Sequence, residues 1–180
     1  MQFSNLSVAA VLALAAGLVH AAPAADDTSP PLVVSHVVPV GEHNLIYWTD
    51  APATSAANAL AARAPAPRAC GTDDVTCASS HAASSALCSQ LLNILNTNPG
   101  TIIDNSPRAI CLGQGSNQCC VSWSKAVGAM LQGGLFSAAN KVFNICLAGS
   151  AVSQSGLARN VILNGGCVTQ CLSNRPTGCT

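Results

Sequence analysis

Apolar residues recur with helical spacing at two places in the C-terminal part of this chain. Leu87, Leu91, Ile94 and Leu95 stand at i, i+4, i+7 and i+8, which is one face of a helix. The spacing predicts a helix over Ser80 to Leu95, with Ser79 or Ser80 as its cap and Asn98-Pro99-Gly100 as its stop. Cys88 lies with Leu92 and Leu95 at the edge of that face, where it can staple the helix to a sheet. Leu135, Ala139, Val142, Phe143 and Cys146 mark a second helix, beginning after Gly133-Gly134.

Between and after the helices the pattern changes to short extended pieces. Residues 101–103 and 108–112 read as strand fragments, and Gly113 to Asn117 as a turn. Over residues 118–124 the period is two: Cys119, Val121 and Trp123 share one side, Cys120, Ser122 and Ser124 the other. The adjacent Cys119 and Cys120 therefore point apart and bond to different partners, and Trp123 belongs to the core. Asn160 to Leu163 reads as a strand, and Cys167 to Cys171 as a turn or short strand. Helix, strands, helix, strand predicts a small α+β layer domain over residues 70–180, with two helices packed on a short antiparallel sheet.

The N-terminal third is built differently. Ser7 to Ala22 is a short run of Ala, Leu, Val and Gly ending in small residues, the form of a secretory signal peptide. It is short and diluted for a bilayer span of about 20 residues. Val19-His20-Ala21 places cleavage after Ala21, so residues 1–21 are expected to be removed. Residues 22–69 hold no cysteine and seven of the ten prolines, a composition for a low-complexity pro-region or linker with little surface to bury. One island, Leu32-Val33-Val34 through Asn44 to Trp48, has strand character and reads as a short hairpin or a strand docked on the core. Arg63 and Arg68 punctuate the rest, and Pro67-Arg68 has the form of a kexin-type processing site.

All ten cysteines follow: Cys70, Cys77, Cys88, Cys111, Cys119, Cys120, Cys146, Cys167, Cys171 and Cys179. That density in a chain with a secretion signal is a disulfide framework, and the even count predicts five bridges with no free thiol. Eight cysteines allow 105 connectivities and ten roughly 945, so the pairing stays open. A metal site is disfavoured, because no CxxC pair occurs and Cys167-x3-Cys171 has no matching second pair.

Composition narrows the function classes. Seven basic and seven acidic residues among 180 give no net charge, and only 8% of residues are charged. Nucleic-acid binding needs clustered Lys and Arg, so it is excluded as a partner class. At 3% aromatic content, platforms for stacking bases or sugars are also scarce.

Two stretches carry a family resemblance: Ser106 to Cys111 running into Gln118-Cys-Cys-Val-Ser-Trp-Ser124, and Ser155 to Asn160 followed by Cys167-Val-Thr-Gln-Cys-Leu-Ser-Asn-Arg175. They resemble the secreted, cysteine-rich fungal family of WD-like domains over Cys70 to Cys179. The resemblance implies no activity or cofactor that transfers residue by residue. It implies no WD40 propeller either, since no repeat of ~40 residues is present. A looser, fold-level similarity points to killer-toxin-like proteins and to necrosis-inducing extracellular effectors of fungi. Hydrophobins match poorly, because they carry two Cys-Cys doublets and this chain has only Cys119-Cys120.

Catalytic chemistry finds little to work with. The region 70–180 has one histidine, His81, expected as an exposed first-turn helix residue, and three carboxylates, Asp73, Asp74 and Asp104. Adjacent Asp73 and Asp74 cannot flank a glycosidic bond, which needs carboxyls about 5–10 Å apart. No G-x-S-x-G elbow occurs, and Gly113-x-Gly115 lacks the third glycine of a phosphate loop. The expectation is a chain without catalytic residues, cofactor or metal. The five basic residues of this region, Arg108, Lys125, Lys141, Arg159 and Arg175, form no linear patch. The sequence supports a secreted, non-enzymatic effector or elicitor at a host surface, with a killer-toxin-like antagonist or a cell-wall or surface component as alternatives. Its partner would be an extracellular host or competitor protein or a cell-surface component, and it has no membrane span.

Overall fold

The computed structural model describes residues 31–52, 70–103, 107–114, 117–149 and 154–179. The expected signal peptide with Ala21, the stretch holding Arg63 and Arg68, and Asp104 lie outside the described residues.

Valine-rich sequence makes the first two strands, β1 (Leu32–Val40) and β2 (His43–Asp50). Gly41, at φ 60°, supplies the left-handed position that a two-residue hairpin turn needs. After them come β3 (Asp74–Ala83), α1 (Ser85–Thr97), β4 (Ile102–Ile103), β5 (Pro107–Gln114) and β6 (Asn117–Trp123). The chain continues through β7 (Met130–Leu131), a 3-10 turn (Gln132–Leu135), α2 (Phe136–Val142) and a π turn (Phe143–Leu147). It closes with β8 (Gln154–Leu163) and β9 (Gly166–Ser173).

Seven strands form one sheet in the order β1-β2-β5-β6-β9-β8-β3, and β4 pairs with β7 in a small second sheet. Every pairing is antiparallel. This corrects the expected architecture. The fold is mostly β, with 52% of the described residues in strands and 24% in helices, rather than a short sheet beneath two helices. The strands that went unread explain the difference. β3 is DVTCASSHAA, rich in Ala and Ser, and shows few of the β-branched residues by which a strand is recognised. Its ladder to β8 and the bridge from Cys77, within the strand, hold it extended instead. β8 begins six residues before the predicted Asn160, and the Cys167 segment is a full strand rather than a turn.

The helix start also moves. Residues 80–83 belong to β3, and α1 is capped by Ser84, whose hydroxyl accepts from the Leu87 amide at 3.5 Å. His81 is thus a strand residue and not in a first helical turn. Of the face as read, Leu87, Leu91 and Leu95 are buried against the sheet together with the edge residues Cys88 and Leu92, while Ile94 is only partly buried. Each such leucine contributes about 1.5–3 kcal/mol by leaving water.

The two faces of the sheet are distinct. Ile110, Leu112, Cys119, Val121, Trp123, Val168 and Leu172 join the helix leucines in one core cluster. Alternation sends Ala109, Cys111, Cys120 and Ser122 to the other side, where they are also buried. Gly156 allows α2 to close on β8. A Cβ there would stand 2.7 Å from both Cys146 Sγ and Val142 Cγ1.

The hairpin completes the sheet. β2 pairs with β5 from Leu45↔Leu112 to Thr49↔Pro107, and buries Leu45 and Tyr47 in the core. Tyr47 donates to Gln132 Oε1 at 3.0 Å, and Gln132 donates onward to the Ile94 carbonyl. Burial raises the Tyr47 phenol above its ordinary pKa. Arg108 forms an ion pair with Asp50 at 3.0 Å and donates to the Trp123 and Ser124 carbonyls.

All ten cysteines are paired, and the pairing binds layer to layer. Cys88–Cys119 joins α1 to β6, Cys77–Cys146 joins β3 to the π turn, and Cys70–Cys167 ties the start of the core to β9. Cys111–Cys120 crosses β5 and β6, and Cys171–Cys179 holds the C-terminal tail onto β9. The neighbours Cys119 and Cys120 take different partners, as their alternation requires.

Candidate functional site

The described residues enclose a cleft of about 140 Å³ between β3, β8, β9 and the C-terminal tail. Its floor is a row across three strands, since Thr76 is in register with Leu157 and Leu157 with Cys171. These side chains lie on the sheet face away from the helices, on the same side as Ser155 and Ser173.

One wall is a bulge in β3. The register with β8 jumps between Ala78 and Ala83, leaving residues 79–82 looped out. Ser155 holds the loop by donating to the Ser80 carbonyl at 2.6 Å and the Ala78 carbonyl at 3.3 Å. Within it His81 sits at φ 55°, a left-handed conformation that costs a non-glycine residue about 1–2 kcal/mol. Backbone strain of this kind concentrates at functional positions.

The other wall is the tail. The Asn174 amide donates to the His81 carbonyl at 3.0 Å, while Gln118 donates to the Asn174 carbonyl at 2.9 Å. Ser173 Oγ accepts from the Arg175 amide and donates to the Arg175 carbonyl, closing a tight turn. The Arg175 side chain folds over Gly178. A Cβ on that residue would lie 2.5 Å from Arg175 Nη2, and its φ of 76° also favours glycine. Cys179, buried and bonded to Cys171, anchors the end of the turn.

The structure thus brings together two residues that the sequence left far apart, His81 and Arg175, and lines their cleft with hydroxyls and no carboxylate. Among the described residues Arg175 has no ion-pair partner. The other candidates are elsewhere. Asp74 opens β3 and accepts from Thr72 Oγ1 at 2.8 Å and Asn160 Nδ2 at 3.0 Å, so it serves a turn. Asp73 stands beside it at φ 47°. Trp123 is 1% exposed, which places it in the core. Lys141 donates to the Thr72 carbonyl, Arg108 is committed to Asp50, and Lys125 and Arg159 stand exposed. Among the described residues no group of three or more His, Cys, Asp or Glu is placed to hold a metal. No helix of the described residues is long and apolar enough to cross a membrane.

The sequence did hold one signal for this site. A bridge spanning only eight positions, Cys171–Cys179, forces Arg175 back over the strand that carries Cys171. It became readable only once the pairing was known.

The features together define a small, β-rich domain locked by five disulfides. A family model described as Fungal WD-like matches residues 53–179 and takes in every cysteine. The chain belongs to the Fungal WD-like family. No curated protein and no solved structure matches it, so the looser similarity to killer-toxin-like and necrosis-inducing proteins finds no support.

Proposed function

We propose that this chain is a secreted, non-enzymatic binding protein that acts as an effector or elicitor at an extracellular host surface. The observation that carries the reading is the set of five bridges, all between Cys70 and Cys179, around an open cleft whose arginine has no ion-pair partner among the described residues. Five disulfides accord with an oxidising compartment, as does an N-terminal segment of signal-peptide form. Cleavage after Ala21 and processing after Arg68 belong to the same proposal. A cleft that offers a cation, hydroxyls and a single histidine supplies recognition chemistry. It lacks the paired carboxylates or the oriented nucleophile and base that hydrolysis needs.

The test applies purified, oxidised protein to plant leaf tissue, to lawns of competing fungi and to isolated fungal cell walls. The reading predicts a tissue response without growth inhibition. Killing of competitors with no tissue response would make the protein an antagonist, and retention on walls alone would make it a structural component. Either result overturns the effector reading.

A further inference from the structure

The cleft beneath the C-terminal tail has a composition that selects for a particular ligand chemistry. We propose that it binds a single carboxylate-bearing sugar unit, a uronic acid, with the Arg175 guanidinium taking the carboxylate. The inference deepens the binding reading above and rests on it. Arg175 is the cationic side chain of the cleft, has no ion-pair partner among the described residues, and faces a lining without Asp or Glu. A planar guanidinium presents two parallel donors to a carboxylate, and one such fork balances one negative charge. A phosphate dianion would ask for more positive charge than this cleft holds.

The size and the remaining lining argue for a hydroxylated ring. A cavity of about 150 Å³ accommodates a six-membered ring, and this cleft measures about 140 Å³. Thr76, Ser80 and Thr177 line it, and their hydroxyls are of the type that can both donate to and accept from a sugar. Leu157 and the Cys171 sulfur give the ring's C–H face an apolar floor. Ser80, His81, Thr177 and Gly178 at the rim are exposed, so a longer acidic chain can continue outward from the bound unit. The bulge has a purpose in this account. Strain at His81, held by the Asn174 and Ser155 hydrogen bonds, keeps the cleft open without a ligand.

The experiment titrates the oxidised protein, at low salt, with galacturonic acid and its short oligomers, following amide shifts by NMR. Glucose, acetate and inorganic phosphate are the comparison probes. Saturable galacturonate binding is expected, with shifts at residues 80–81 and 174–178. Glucose and acetate should each bind at least about tenfold more weakly, because each lacks half of the recognised chemistry. Arg175→Gln should weaken galacturonate by about tenfold or more, and Arg175→Lys should recover only part, since it restores charge but not the fork. The unperturbed spectrum of the core amides verifies that each variant folds. No binding at millimolar galacturonate, equal binding of acetate, tighter binding of phosphate, or full affinity in folded Arg175→Gln would each overturn the proposal. Uronate binding without any tissue response would sink the effector reading alone. A tissue response without uronate binding would sink only this one.

Discussion

Replacing Cys88 and Cys119 together by alanine removes the bridge that fastens α1 to the middle of the sheet. Both residues are 0% exposed and stand 31 positions apart. The Cys111–Cys120 bond remains in the variant and shortens the loop in question to about 25 residues. On the chain-entropy relation a loop of that length corresponds to ~3.5 kcal/mol of stability at 25 °C. The two vanished sulfurs leave a small void that adds about 1 kcal/mol. Against this, Leu87, Leu91, Leu92 and Leu95 still bury their side chains, so the variant should fold. A loss of this size lowers the midpoint of a domain near 110 residues by roughly 10–20 °C. Thermal and urea unfolding without reductant measure it, and limited proteolysis should show α1 cut first. The Cys171→Ala/Cys179→Ala pair provides the contrast. Its loop spans eight positions and is worth only ~2.5 kcal/mol, yet it holds the wall that carries Arg175. That variant should stay the more stable of the two and lose cleft binding. If removing Cys88–Cys119 costs less than about 1 kcal/mol, packing alone holds the helix and the argument for bridge dependence fails.

Three further outcomes follow from the packing. Gly156→Ala should cost about 1–3 kcal/mol in urea unfolding, because its methyl group meets Cys146 Sγ and Val142 Cγ1. Tyr47, the single tyrosine of the chain, should titrate above 10.0 by ultraviolet absorbance. Its contribution is complete below the unfolded pKa and is lost as pH rises past the folded one; Tyr47→Phe should flatten that alkaline fall and cost about 1–2 kcal/mol at neutral pH by orphaning Gln132 Oε1. Proteolysis after Arg68 should leave β1 and β2 held by the β5 ladder, Tyr47 and Asp50 alone, since no bridge reaches them. The fragments should co-elute in buffer and separate in denaturant without reductant.

Much of this fold was legible where the chain speaks in period and spacing. The leucine face of α1, the alternation that parted Cys119 from Cys120, and the burial of Trp123 are local properties, visible in a few residues. β3 and the first half of β8 were hidden, because Ala, Ser and Gly in strands carry no periodic apolar signal. They are extended because neighbours pair with them, a long-range cause that no window of sequence contains. The same reason displaced the helix start, since Ser79 and Ser80 are good caps by type, and only the long-range pairing of β3 with β8 places them in a bulge and leaves the cap to Ser84. The N-terminal hairpin was legible as an island of strand character inside a low-complexity stretch, and it is both a hairpin and docked, with Leu45 and Tyr47 completing the core. The cleft was the least legible feature. His81 and Arg175 are 94 positions apart, and only the Cys171–Cys179 turn and the β3 bulge bring them together.

An effector that acts through its cleft must be active as the folded, oxidised domain. Oxidised protein and the same protein reduced and alkylated, applied to leaf tissue at equal concentration, test that most directly. A response to the oxidised form alone, lost on reduction together with protease resistance, is the predicted result. An equal response to the reduced and alkylated chain would mean that a linear segment acts, and would contradict the account.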